Sequence, residues 1–444
     1  MRVAFVVWPA PAHLYPVVPL AWALRSAGHE VYVASHPSIG DAVTGQGLPF
    51  APLCAPDAMP HPLGPGGVWG RERADVGQIT AVLDLPVQDI GTWMTFSQFL
   101  LPTMWDFMPY KASPETPMPA MDGLVEFFRG WRPDLVIWDP CMPGAAVAAR
   151  AVGARQARYT GPDHVGWSMD TFIRLAGDLG ASRVDNPLVE TVRPMAERYG
   201  VDVDRELLLG EWTINPMPSS INLPVDTRVL PVQWIPHVTQ EAVPPWLYPV
   251  PERPRIAVSL GVSTRAYMAA DWSHVGLLLD ALGELDVEVV ATLNDVQLAQ
   301  VTRVPENVRL IDYFPLDQLM PTCSLLIHHG GLASMVTAAY SRVPQLVVDF
   351  LDLQIGVTTS EDGVVTGSRY PLAPVTGGFV TGHGAGEVLD LSKPGVDVIR
   401  DQVARVATEP AFREGAARLH EELMLSPTPG GIVPMLEQFA ARRR

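Results

Sequence analysis

His328, His329, Gly330 and Gly331 stand between an apolar run and a helical pattern. The run from Cys323 to Ile327 reads as a buried strand. Ser334 is a good N-cap type, and Met335 to Tyr340 read as the helix after it. A strand, a glycine turn and a helix N-terminus together suit an anion. Glycine lets backbone approach closely, the first helical N–H groups lack partners, and the dipole is positive at that end. A histidine in such a turn adds a donor for a phosphate oxygen, so the segment predicts a diphosphate site. An ordinary strand-to-helix turn with a capping serine fits the same residues.

A second chemistry is legible near the start. His13 follows the apolar run Arg2 to Trp8, and a histidine that titrates near neutrality can accept a proton from a hydroxyl. By type alone it is equally a turn histidine. Asp139 ends the short strand Leu135 to Trp138, where it serves either chemistry or the N-cap of the alanine-rich helix Gly144 to Val152.

These residues need a scaffold. Arg2 to Trp8, a helix over Val17 to Ala27 ending at Gly28, and the strand His29 to Ser35 make a strand–helix–strand unit. A second α/β series begins at Arg255, with strands at Ile256–Leu260, Val287–Thr292, Val308–Ile311, Leu325–His328 and Val343–Asp349, and a helix over Ser273–Leu282. The proline-dense stretch 230–254 reads as the connection between halves. Two parallel-sheet halves bind ligands beyond the carboxyl ends of their strands, so both are expected to face a cleft. Pro60 to Phe128, rich in Trp, Met and Phe, reads as helices and loops laid over one sheet edge; it either lines a pocket for an apolar molecule or packs as core. Gly363 to Gly386 reads as a long loop or loose hairpin.

Composition narrows the partners. The 444 residues suit two domains, and 48% hydrophobic with 18% charged residues suits a packed soluble protein. A net charge of −17 disfavours nucleic acid and anionic membrane, so any phosphate site must be local. Cys54, Cys141 and Cys323 have no metal-site spacing and read as small buried hydrophobes of a reducing, cytoplasmic compartment. Neither a signal peptide nor a membrane helix is expected. The turn after the first strand, WPAPAHLYP, lacks GxGxxG, which argues against a dinucleotide oxidoreductase.

PAHLYPVVPLAWALRSAGHEVYVAS, DLVIWDP, VPPWL, LGVSTR and the histidine–glycine segment with its trailing VPQLVV together resemble a family. It is the natural-product glycosyltransferases of GT-B fold, family 1, and within it the bacterial enzymes that place deoxysugars, often aminosugars, on macrolides and aromatic polyketides. The resemblance spans almost the whole chain. It implies two Rossmann-like domains facing a cleft: residues 1–229 for the acceptor, 230–254 as linker, 255–425 for the nucleotide sugar, and 426–444 returning to the first domain. It implies inverting transfer from a thymidine-diphosphate (TDP) deoxysugar to a hydroxyl of a hydrophobic aglycone. His13 is then the base and Asp139 its acidic partner. His329, Gly330, Gly331, Ala333 and Ser334 hold the diphosphate, with Ser263, Thr264 and Arg265 on its other side. Tyr313 and Phe314 receive the nucleobase, and Asp352 and Gln354 the sugar. No cofactor and no metal are implied. Partners implied are the TDP-deoxysugar, the aglycone, a P450-like activator protein without haem function, and a second copy in a homodimer. Departures stand in the sugar half: Leu353 splits the usual acid–Gln pair, and the chain runs into 363–386 in place of a helix. They leave open a catalytically reduced, nucleotide-sugar-binding or partner-activating protein of the same fold. An epimerase of this fold fits the apolar insertion less well.

Overall fold

The computed structural model describes residues 1–62, 74–178, 185–263, 272–353, 356–359, 365–392 and 395–441. The chain divides into two compact units, Met1–Ile235 with the chain from Ser426 onward, and Pro236–Leu425.

The first unit is built on seven strands: β1 (Arg2–Val6), β2 (Glu30–Ser35), β3 (Phe50–Pro52), β4 (Leu135–Trp138), β5 (Arg155–Tyr159), β6 (Thr213–Asn215) and β7 (Val229–Pro231). They lie parallel in the order β3-β2-β1-β4-β5-β6-β7. A parallel sheet is covered on both faces, which is why β1 and β4 are apolar runs without alternation. Strand order reverses between β1 and β4, and Val6 pairs with Trp138 at that switch. Helix α1 (Val18–Ser26) follows β1, and Gly28, at φ +87°, takes the left-handed turn into β2. Helix α2 (Gly144–Val152) follows β4; a Cβ on Gly144 would meet the Met121 sulfur at 2.4 Å, so close packing demands the small residues there.

Within the aromatic-rich insertion the structure places helices over Ala74–Val82, Val87–Met94 and Pro119–Trp131, with a π-helical turn over Thr95–Leu100. Trp93, Phe96, Trp105 and Phe107 are buried with Ala4, Val6 and Trp138. These rings are core, not pocket lining. The stretch read as a linker from residue 230 begins inside the first sheet, because Leu230 and Pro231 belong to β7.

The second unit carries β8 (Arg255–Ser259), β9 (Glu288–Thr292), β10 (Val308–Ile311), β11 (Leu325–His328), β12 (Gln345–Asp349), the antiparallel pair β13 (Gly356–Thr359) and β14 (Val365–Arg369), and β15 (Gly386–Asp390). The main sheet is parallel, in the order β10-β9-β8-β11-β12-β15, with its switch between β8 and β11. Helix α3 (Leu332–Tyr340) follows β11, and α4 (Ala373–Gly382) precedes β15. Of the segment 363–386, read as a long loop or loose hairpin, residues 365–369 are a hairpin strand and the rest of the described part is not a long loop. Residues 365–386 form the second strand of the hairpin, a helix and the start of a strand. Two of the segment's glycines serve packing: a Cβ on Gly377 would sit 2.8 Å from Val388 Cγ2, and one on Gly386 would overlap the Gln345 carbonyl.

Helix α5 (Pro429–Ala441) belongs to the first unit, where Ile432, Val433 and Leu436 are buried against Val17, Leu20 and Leu24. Two Rossmann-like parallel-sheet domains with a C-terminal helix returning to the first constitute the GT-B architecture. Among the described residues no helix is long and apolar enough to cross a membrane.

Candidate active site

Each sheet puts chemistry at its own switch point. In the first unit the chain leaves β1 through Trp8 and a short helical turn, Pro11–Leu14, that carries His13. Asp139 follows β4 directly, its N–H donating to the Val6 carbonyl at 2.9 Å. The two strand ends are thus clamped together, and His13 Nδ1 lies 2.6 Å from Asp139 Oδ2. Oδ1 accepts the Cys141 N–H at 2.8 Å, which fixes the carboxylate plane. Asp139 is not the cap of α2, whose N-cap is Pro143. The Trp8 ring lies 5.1 Å from the imidazole.

With Nδ1–H donating to Asp139, the other ring nitrogen, Nε2, holds the lone pair. Burial pushes the His13 pKa down; the Asp139 charge and hydrogen bond together outweigh it and leave the pKa above 6.5. Cys141 completes a group whose ligand-type atoms lie within 4.8 Å of one another. Burial first, then the Asp139 charge, pushes its thiol well above the ordinary range, so at neutral pH it stays protonated.

In the second unit β11 ends at His328, and His329-Gly330-Gly331 turn into α3, whose N-cap is Gly331. The helix starts three residues earlier than the cap preference of Ser334 suggests, so Ala333 and Ser334 lie in its first turn, where N–H groups have no helical partner. Gly330 has φ +90°, and a Cβ there would meet Ala373 Cα at 2.6 Å. A Cβ on Gly331 would lie 2.8 Å from two atoms of the His329 ring. Gly330 is required by geometry, whereas a side chain at 331 would displace the His329 ring.

The two histidines divide the work. His328 is fully buried, with Nε2 3.0 Å from Gln345 Oε1 and Nδ1 accepting the Gly330 N–H at 3.3 Å. Burial, then the neighbouring His329, pushes its pKa down to about 3, so it is a neutral structural strut. His329 is pushed by burial down to about 4, with a hydrogen bond to the Ser259 backbone opposing the shift. Its Nδ1 is buried with no partner among the described residues. Once it carries a proton, such a ring nitrogen beside a helix N-terminus can donate to an anion.

The remaining predicted residues are placed less decisively. Ser263 is exposed, just past β8 and the left-handed Gly261 (φ +89°). Thr264, Arg265 and Gln354 lie outside the described residues. Tyr313 is half-buried, its hydroxyl donating to the Thr239 carbonyl at 3.2 Å. The Phe314 ring is core, packed with Trp246, Leu247 and Leu319, which leaves its backbone for a ligand. Asp352 is exposed, its N–H donating to Ser392 Oγ at 3.0 Å.

Sequence reasoning missed a second group at the end of β12. The buried Asp349 carboxylate is gripped at both oxygens by Arg369, at 2.7 and 2.6 Å. The next residue, Tyr370, meets the His329 imidazole edge-on with centroids 4.8 Å apart. The available signal was Tyr370-Pro371-Leu372-Ala373-Pro374, since proline near a helix N-terminus marks a start.

The N-terminal domain of the family described as erythromycin biosynthesis protein CIII-like matches residues 22–261, and its C-terminal domain matches 276–439. The chain is 34% identical over 446 residues to the aclacinomycin-T 2-deoxy-L-fucose transferase of Streptomyces galilaeus, covering 100% of this chain and 97% of that one. It is 33% identical to the 10-deoxymethynolide desosaminyltransferase of Streptomyces venezuelae, covering 100% and 98%. Among solved structures it resembles glycosyltransferase VinC in complex with DTDP, with TM-score 0.77, 28% identity and 99% of each chain covered.

Proposed function

The chain belongs to the erythromycin biosynthesis protein CIII-like family of glycosyltransferases, and we propose that it moves a deoxysugar from a TDP donor to a hydroxyl of a hydrophobic polyketide aglycone, inverting the anomeric centre. His13 Nε2 takes the acceptor proton as the acceptor oxygen attacks the anomeric carbon. The new C–O bond forms as the bond to the diphosphate breaks, and TDP leaves. Asp139 holds Nδ1–H and stabilises the imidazolium that forms, which is triad logic with two members. The α3 N-terminus and His329 meet the charge that builds on the diphosphate. A single displacement inverts the carbon.

The observation that carries this reading is the His13–Asp139 pair at 2.6 Å on the switch point of a parallel sheet. It also favours catalysis over a nucleotide-sugar-binding or partner-activating role, for which no oriented base is needed. The donor class is supported by the orphaned His329 nitrogen at the α3 N-terminus and by the DTDP-bound relative. The test is transfer from a TDP-deoxysugar to a panel of macrolide and aromatic polyketide aglycones, with and without a haem-inactive P450-like protein. Product with inverted configuration supports the reading. Intact TDP binding without product anywhere in the panel contradicts it.

A further inference from the structure

Eight residues, 369–376, are fastened at three points, one at the end of β12 and two on the His329–Gly330 turn. Arg369 holds the buried Asp349 carboxylate at the carboxyl end of β12 through two hydrogen bonds. Tyr370 meets the edge of His329. Thr376 Oγ1 donates to the Gly330 carbonyl at 2.6 Å, where Ala373 packs against Gly330 so closely that no Cβ fits. This segment enters α4 from the β13–β14 hairpin, in the part of the chain that departs from the family pattern.

Sheet order sets the direction of a bound donor. Tyr313 and Phe314 follow β10, and the diphosphate turn follows β11, in the order β10-β9-β8-β11-β12-β15. A donor with its base toward β10 and its diphosphate at β11 extends its sugar toward β12. At that end stand Arg369, locked onto Asp349, and Tyr370, half-buried beside the diphosphate histidine.

Resting on the TDP-sugar reading above, we propose that Tyr370 is the wall against which the donor sugar packs, and that it selects sugars poor in hydroxyls. Arg369 and Asp349 are its positioning residues. A ring face offers C–H and methyl contacts but no acceptor in the plane of a sugar hydroxyl. A hydroxyl pressed onto it loses water without replacement, whereas a deoxy carbon loses nothing. Asp349 engages two of the five N–H donors of Arg369 and offsets its charge.

Isothermal titration of TDP, a TDP-6-deoxyhexose and TDP-glucose into the full-length protein and its Tyr370 variants tests this. Tyr370→Ala leaves the TDP dissociation constant within about twofold, weakens the TDP-deoxyhexose about tenfold, and narrows its preference over TDP-glucose. Tyr370→Phe keeps the ring and the wild-type preference. Tyr370→Leu, which fills most of the space, repeats the loss of preference should the alanine variant fail to fold. Equal weakening of TDP and TDP-deoxyhexose, or an unchanged ratio between the two sugars, overturns the proposal. Wild-type protein that binds no TDP at all removes the donor reading beneath it, an outcome distinct from either.

Discussion

His13 Nδ1 and Asp139 Oδ2 lie 2.6 Å apart although 126 positions separate them in the chain. Neither residue reaches the other by local structure. β1 delivers one and β4 the other, and the Asp139 N–H bonded to the Val6 carbonyl holds the two strand ends in register. The reactivity of the imidazole is therefore a property of the first sheet.

Removing the carboxylate charge tests that coupling. Asp139→Asn leaves burial as the main influence on His13 and lowers its pKa. The acidic limb of the kcat/KM profile lies above pH 6.5 in the wild type, because the base is lost as pH falls through the raised pKa, and it moves to lower pH in the variant. The plateau rate falls about a hundredfold, since the imidazolium has lost its partner. An unmoved acidic limb means the limb belongs to another group.

Gly331→Ala places a methyl 2.8 Å from two atoms of the His329 ring. The imidazole must shift, and TDP affinity drops about tenfold, the scale of one charge-assisted hydrogen bond. Calorimetric affinity with a parallel thermal melt checks this, and the melting temperature stays near that of the wild type.

His328 and His329 are adjacent but give opposite outcomes on truncation. His328→Ala opens a cavity and leaves Gln345 Oε1 without its partner, costing about 2–4 kcal/mol of stability by chemical denaturation. His329→Ala loses TDP affinity about ten- to a hundredfold and costs less stability than His328→Ala, because Nδ1 has no partner among the described residues and only the Ser259 bond and the Tyr370 contact are lost. Reversed outcomes would exchange the strut and the ligand.

Low pH acts on the same pair. The folded pKa of His328 is about 3 and that of His329 about 4, both below the ordinary 6.5. The unfolded chain therefore binds protons first as pH falls. The stability from these neutral rings is complete above about pH 6.5 and is lost below it, approaching about 1.4 kcal/mol per pH unit for each ring. Denaturation midpoints at pH 7, 6 and 5 check this, and His328→Gln flattens the slope by one ring's share.

Much of the fold was legible because parallel strands buried on both faces leave apolar runs, as at LVIW and LLIH. The turn after β11 was legible because Gly330, at φ +90° with no room for a Cβ, has to be glycine. What escaped reading was tertiary in origin. The rings of 93–107 point inward, yet a helix of that composition looks the same whether it lines a pocket or fills a core. The glycines of α4 imitate a loop, although Gly377 is required by contact with Val388 in the neighbouring strand. The bond between Asp349 and Arg369 spans 20 positions and leaves no periodic trace.

Anomeric configuration and rate in one experiment test the central claim most directly. Wild-type protein and His13→Ala are given the same TDP-deoxysugar and an accepted aglycone, and product is quantified and its glycosidic linkage assigned by NMR. The expected result is an inverted linkage from the wild type and a rate at least about a hundredfold lower from the variant, with TDP affinity unchanged. A retained linkage, or a variant as fast as the wild type, contradicts His13 as the base.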